Sequence, residues 1–537
     1  MIMQSCSEYL VRQLEHWGVE QVFGIPGVHT IELYRGLENS RVRHVTPRHE
    51  QGAGFMADGY ARATGKPGVC FIITGPGMSN ILTAMGQALA DSIPMLVISS
   101  VGRRDTLGSQ QGRLHELSSQ QALVSQVARF SQTILDPQQL PHALERAMAI
   151  FNSGKPGPVH LEIPIDLLTA PLNTPVQALP TFYKASPHPD AVAHCAQLLQ
   201  AAKQPLLLVG GGCVDSADTI QRLAETLNVP TVTTINAKGV LPGNLHQPHP
   251  LDLGANAAFP AVRKLAAQAD VILALGTELG ETDYDVVFDD GFILQGKLIR
   301  VDIDASQLVG NQRPHIALVS DAGEFARALL THFPQPLPNT GASVVAEVRA
   351  ALALESDPAF TPFYPLYKTL EQHLPNATLV GDSTATVYAG NHICNQPAAR
   401  HYFNASTGYG TLGYALPAAL GAKLGHPHSP VVALMGDGGI MFTVAELATM
   451  VDEQLNIVVL IWNNTGYDEI RRAMDRASVA RIGVNIPPPD FKVLSQSIGA
   501  AYEHVQTPAQ LSEQLQLWQQ TAPLIIEIDA HAWIATL

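Results

Sequence analysis

The chain has 537 residues, of which 46% are hydrophobic and 15% charged, with a formal net charge of −15. A chain this long outgrows one hydrophobic core and divides into about three domains of ordinary size. The acidic balance argues against nucleic acid or an anionic membrane as partner, since both need clustered Lys and Arg.

In chain order, Leu10, Val11, Leu14 and Trp17 recur at helical spacing, so the start reads as a domain's first helix rather than a leader peptide. Strand-length apolar runs follow at Val19–Phe23, Val69–Ile73, Met95–Ser99 and Val159–Ile163, the first two running into Gly/Pro turns. A Pro-rich stretch from Pro171 to Pro189 reads as a linker. Beyond it, Leu206–Val209 runs into Gly210-Gly211-Gly212, Val271–Leu275 into Gly276, and Leu298–Ile303 carries Asp302. A second Pro-rich stretch, Phe333 to Asn339, precedes runs at Thr378–Val380, Val431–Met435, Ile457–Trp462 and Leu524–Ile528. Strands alternating with helical stretches predict parallel sheets. The expected architecture is three Rossmann-like α/β domains, at 1–172, 190–333 and 343–537. No run of 18 apolar residues occurs, so no membrane span is expected. The five cysteines form no CxxC pair and read as reduced thiols of a cytoplasmic protein. Low charge with abundant Gly and Ala suggests large buried interfaces and an oligomer.

Two constellations carry chemistry. Near the end, Gly436-Asp437-Gly438 follows one strand and Asn463-Asn464 follows the next. Asp437 offers a carboxylate and Asn464 an amide oxygen, the hard ligands that magnesium takes. Gly436, Gly438 and Gly439 let the backbone approach phosphate oxygens, and a helix expected over 443–453 points its amino terminus at them. Near the start, Glu50 opens the run Glu50-Gln51-Gly52-Ala53-Gly54-Phe55-Met56-Ala57-Asp58-Gly59-Tyr60-Ala61-Arg62. This is a carboxylate on a Gly/Ala-rich segment, read as leaving room for a flat ring.

Together these motifs resemble the thiamine diphosphate enzymes, in the branch of acetolactate synthases, pyruvate oxidases and 2-oxo acid decarboxylases. The resemblance spans essentially the whole chain. It implies pyrimidine-binding, central and diphosphate-binding domains, with thiamine diphosphate and Mg2+ as cofactors. Glu50 becomes the acid that activates the aminopyrimidine, and the carbonyl of Gly466 the third protein ligand of the metal. Ser383 and Thr384 match positions that hold the diphosphate, and Gly75 joins the cofactor-binding set. In the loop Gly408-Tyr409-Gly410-Thr411-Leu412-Gly413-Tyr414, Leu412 takes the place of the apolar wedge that bends the cofactor, and the Gly410 carbonyl that of the acceptor for its amino group. The resemblance also implies a homodimer or homotetramer with active sites at the dimer interface.

Departures within the branch bear on the substrate. Acetolactate synthases carry Phe-Gln-Glu where this chain has Leu114-His115-Glu116, a Lys-His pair where it has Arg129-Phe130, and Gly-Met-Val where it has Thr465-Gly466-Tyr467. Flavin-binding relatives place an Arg where this chain has Gly276-Thr277-Glu278-Leu279, so FAD is not expected. The runs around His29, Glu50 and His115 are more similar to the 2-ketoarginine (5-guanidino-2-oxopentanoate) decarboxylases. The expected reaction is decarboxylation of that small-molecule 2-oxo acid to an aldehyde, and the alternative is a carboligase of the acetolactate synthase type. A guanidinium calls for a carboxylate, and Asp468, Glu469 and Ile470 fall on the segment bordering the substrate pocket in relatives. His29 and His115 are the proposed proton donors.

Overall fold

The computed structural model describes residues 4–355 and 358–537. Three parallel sheets carry the chain. In the first, β1 (Gln21–Gly24), β2 (Arg43–Val45), β3 (Gly68–Ile72), β4 (Met95–Val101), β5 (Phe130–Thr133) and β6 (Pro158–Pro164) run in the order β2-β1-β3-β4-β6-β5. In the second, β7 (Pro205–Val209), β8 (Thr231–Thr233), β9 (Val271–Leu275), β10 (Lys297–Asp302) and β11 (Ile316–Val319) run β11-β10-β9-β7-β8. The third is built from β12 (Thr378–Gly381), β13 (Tyr402–Asn404), β14 (Val431–Gly436), β15 (Val458–Asn463), β16 (Ala501–Val505) and β17 (Leu524–Asp529), with β13 and β16 at its ends. Residues of β3, β4, β6, β7 and β9 are buried throughout, and β3, β7 and β9 read as unbroken apolar runs, whereas β4 carries Ser99 and Ser100 and β6 carries His160 and Glu162.

By contact the chain forms two compact units. One is Met1–Tyr183 with Gly408–His504 and Trp518–Ile528; the other is Lys184–Thr407 with Val505–Leu517 and Asp529–Leu537. Within the first, the helices Glu50–Thr64 and Ala415–Gly425 pack backbone to backbone. A Cβ on Gly59 would lie 2.0 Å from the Ala418 carbonyl oxygen, and one on Gly421 1.9 Å from that of Met56. Gly54 meets Ala84 and Ile81, and Gly52 meets Glu446. The Gly/Ala richness after Glu50 therefore serves close helix packing rather than an approaching ring. Small side chains are what allow two helix backbones to touch. In the second unit, a cluster that includes Leu207, Val209, Leu273, Ile299 and Phe325 forms a buried apolar core.

Among the described residues no helix is long and apolar enough to cross a membrane. The five cysteines are free and buried.

Candidate active site

The register of β14 against β15 pairs Gly436 with Trp462, so both strands end side by side. Asp437 begins where one stops and Asn464 where the other does, and the two side chains meet there. Asp437 is 1% exposed, and its Oδ2 accepts from the Gly466 N–H at 2.8 Å. Burial pushes its carboxyl above the usual range, against four backbone hydrogen bonds that lower it. The Asn464 side-chain oxygen stands 3.2 Å from Asp437 Oδ1 and 2.9 Å from the Gly466 carbonyl oxygen. With the amide nitrogen turned there instead, it donates to both; with the oxygen there, three acceptors face one another and call for a cation. Octahedral magnesium at about 2.0–2.1 Å per ligand sets neighbouring oxygens about 2.8–3.0 Å apart. One carboxylate, one amide oxygen and one carbonyl at these separations fit that geometry.

The segment after Asp437 departs from expectation. A four-residue helix, Asp437–Ile440, comes first, and the next begins at Glu446 rather than at 443. Gly438 lies against the Tyr467 ring, where a Cβ would be 2.5 Å from a ring carbon. Ser383 and Thr384 stand in the other compact unit, with Thr384 immediately before the helix Ala385–Ile393.

Glu50 is the first residue of the helix Glu50–Thr64 and accepts from Asn80 Nδ2 at 2.9 Å. A Cβ on Gly77 would come within 3.3 Å of Glu50 Oε1. The entry into this helix is held by a second carboxylate that the sequence reading missed. Glu446, 0% exposed, accepts from the N–H groups of Arg48 and His49 at 3.0–3.1 Å and from Thr449 Oγ1 at 2.7 Å. Burial raises its carboxyl above the ordinary range, and these hydrogen bonds oppose the rise. Gly52 is required there, because a Cβ would sit 2.2 Å from Glu446 Oε1. Glycine two residues after a candidate acid was the one available signal.

The loop 408–414 has positive φ at Gly408, Gly410 and Gly413. Leu412 is half-buried while its neighbours Thr411, Gly413 and Tyr414 are buried, so it is not an ordinary core leucine. Thr411 Oγ1 donates to Gln87 Oε1 at 2.9 Å, and Gln87 donates to Asp91 at 2.6 Å. Arg62 donates to both Asp91 and Asp58, each at 2.6 Å, and the Tyr414 hydroxyl donates to Asp58. This buried chain, also unread from sequence, anchors the loop at both ends of its Leu412 segment.

His29 and His115, 86 positions apart, come together with their Nδ1 atoms 3.2 Å apart. Gly75 lies beneath them at φ +71, where a Cβ would be 2.6 Å from the His115 carbonyl oxygen. Its N–H donates to Gln120 Oε1 at 2.9 Å. Burial, and then the charge of His115, hold His29 below the ordinary histidine range. Asp468 and Glu469 open the helix Asp468–Arg476. Asp468 pairs with Arg471 at 3.2 Å and Arg472 at 2.9 Å, and Ile470 is exposed.

A parallel α/β scaffold whose strand ends gather hard oxygen ligands, with the half-buried carboxyl of Glu50 apart from them, is that of a cofactor-dependent enzyme. Three family profiles match: the N-terminal TPP-binding domain of thiamine pyrophosphate enzymes over residues 4–123, the central domain over 192–329, and the C-terminal TPP-binding domain over 381–528. A probable 2-ketoarginine decarboxylase of Pseudomonas aeruginosa is 41% identical, across 98% of this chain and 94% of its own length. An acetolactate synthase large subunit of Escherichia coli is 31% identical across 85% of this chain and 81% of its own length. An acetolactate synthase of Mycobacterium avium is 32% identical across 92% and 82%. The chain belongs to the thiamine pyrophosphate enzyme family.

Proposed function

We propose that this enzyme is a thiamine diphosphate- and Mg2+-dependent decarboxylase that converts 5-guanidino-2-oxopentanoate to 4-guanidinobutanal and carbon dioxide. The 41% identity to a probable 2-ketoarginine decarboxylase over 98% of the chain carries this reading. The domain boundaries at 1–172, 190–333 and 343–537, and a homodimer or homotetramer with active sites between subunits, belong to the same proposal.

Bound thiamine diphosphate supplies the nucleophilic carbon that attacks the 2-oxo group and the sink for the electrons of the broken carboxylate bond. Asp437, Asn464 and the Gly466 carbonyl hold Mg2+. Ser383, Thr384, Gly436, Gly438 and Gly439 hold the diphosphate. Glu50 holds a proton against the pyrimidine ring, with Asn80 fixing the carboxyl that carries it. Gly410 and Leu412 orient the cofactor rings, and Gly75 keeps its N–H turned to Gln120 beneath the histidine pair. His29 and His115 deliver the proton that completes the aldehyde. One of the two acids Asp468 and Glu469, with Ile470 beside them, is assigned to the guanidinium; Asp468 also pairs with Arg471 and Arg472. No flavin is assigned, since Gly276-Thr277-Glu278-Leu279 stands where flavin-binding relatives place an Arg.

Carboligation is the second reading, favoured by the acetolactate synthases at 31–32% identity. Product identification by mass spectrometry separates the two. Enzyme with thiamine diphosphate and Mg2+ is given 2-ketoarginine and pyruvate in separate reactions. We expect 4-guanidinobutanal from the first and little turnover of the second; acetolactate from pyruvate would replace decarboxylation with carboligation.

A further inference from the structure

The turn that supplies two of the three cation ligands holds an unfavourable backbone. Thr465, a β-branched residue, sits at φ +61, and Gly466 at φ +132. β-Branched residues resist the left-handed region, so surrounding contacts must impose it. Three carbonyls leave this turn. The Arg471 guanidinium takes two of them, donating from Nη2 to the Asn464 carbonyl at 2.7 Å and from Nη1 toward that of Thr465 at 3.4 Å. The third, Gly466, accepts from the Asp468 N–H at 3.1 Å and keeps its other lone pair for the point where Asp437 and the Asn464 side chain meet. Asp468 ties Arg471 back to the same helix at 3.2 Å. The Arg471 side chain is 15% exposed, and its Nε is buried without a hydrogen-bond partner among the described residues. An unpaired buried donor opposes this placement, so the carbonyl contacts and the Asp468 pair together hold the side chain there.

We propose that Arg471 is a positioning residue for the cation site: its planar fork draws the Asn464 and Thr465 carbonyls aside and leaves the Gly466 carbonyl and the Asn464 amide as ligands. This rests on the cation site assigned above. The guanidinium does not touch the ion; it sorts which backbone oxygens face it. Its charge is offset by Asp468, so a second cation close by is tolerated.

Magnesium and calcium separate this role from general support of the fold. Mg2+ demands near-ideal octahedral geometry, whereas Ca2+ accepts a looser, larger shell. A turn released from Arg471 therefore discriminates less between them. Calorimetric titration of Mg2+ and of Ca2+ into the full chain saturated with thiamine diphosphate is the experiment, on parent, Arg471→Met, Arg471→Lys and Asp437→Ala. For Arg471→Met, Mg2+ affinity should fall by about 10–100-fold, as for other residues that orient metal ligands, and Ca2+ affinity by less than about 3-fold. Melting without cation should stay at the parent temperature. Lysine keeps the charge but not the fork, so Arg471→Lys should lose Mg2+ affinity to an intermediate degree, and it carries the test if the methionine variant does not fold. Unchanged Mg2+ affinity, or equal losses for both ions, overturns the proposal. Asp437→Ala retaining the parent Mg2+ affinity overturns the cation site itself.

Discussion

The imidazole Nδ1 atoms of His29 and His115 stand 3.2 Å apart, with the rings crossed at 77°. Two Nδ1 atoms at that distance share one proton, since one ring must donate and the other accept. The pair thus presents one mobile proton beside Gly75, and neither ring alone reproduces it. His115 reaches its partner through a backbone at φ +64, a position where Asn is tolerated.

His29→Gln and His115→Asn should each lower kcat by about 10²–10⁴, the usual worth of a positioned proton donor. The double variant should lose little more than either single one, because the residues act as a unit. In the parent, kcat should fall as pH rises through the titration of His29. That limb should lie below the ordinary histidine value of about 6.5, because burial and the neighbouring charge depress His29. Both single variants should lack it. A falling limb unchanged in His29→Gln, measured by aldehyde release across pH 5–8 (the approximate histidine window), would remove the pair from the proton path.

Glu50→Gln tests the activating acid. The glutamine keeps shape and one acceptor for Asn80 but cannot carry the proton. Exchange of the cofactor's ring proton with deuterated water, followed by NMR after acid quench, should slow by about 10²-fold or more, while calorimetric binding of thiamine diphosphate stays near the parent value. Asn80→Ala should slow the same exchange by about 10-fold, the equivalent of one neutral hydrogen bond at the upper end of its range. Parent-like exchange in Glu50→Gln would take the role away from Glu50.

The strands legible in the sequence and those that were not divide by position. Every apolar run read as a strand lies inside a sheet. The six strands left unread, β2, β5, β8, β11, β13 and β16, are the two ends of each of the three sheets. An end strand pairs on one side only and needs fewer apolar residues; β2 reads Arg43-His44-Val45, and in β16 Ala501, Glu503 and His504 are exposed and Tyr502 is half-buried. The site divides in the same way. Glu50, Asp437 and Asn464 stand in short motifs whose spacing carries the signal. Glu446, Gln87, Gln120 and Arg471 act through contacts made between distant segments or one helical turn away, and no local pattern announces them.

Gly52→Ala probes the join between Glu446 and the start of the Glu50 helix. Its Cβ would fall 2.2 Å from Glu446 Oε1, and Glu446 is held in place by Arg48, His49 and Thr449. On an exposed helix this exchange stabilises by about 1 kcal/mol through propensity. Here the clash should reverse the sign and cost about 1–3 kcal/mol, as for other overpacked sites. Chemical denaturation of the variant checks it, and a variant as stable as the parent would mean that Glu446 moves freely.

His160 sets a pH limit on stability. It is fully buried on β6 between Ser99 Oγ at 2.8 Å and Ser131 Oγ at 2.7 Å, and burial lowers its pKa to about 3. Above the unfolded value of about 6.5, both states are neutral and nothing is lost. As pH falls from there to about 3, the unfolded chain takes up a proton that the folded chain refuses. Each pH unit in that window removes about 1.4 kcal/mol, approaching about 5 kcal/mol in all. Glu162, which accepts from Gln120 nearby and is raised by burial, contributes with the opposite sign. It remains in both proteins, so the comparison of His160→Gln with the parent cancels it. The variant should lose less stability than the parent between pH 6.5 and 4 (roughly the window set by the two histidine values), measured by urea denaturation at each pH. Identical slopes would show that His160 takes up its proton without leaving the folded core.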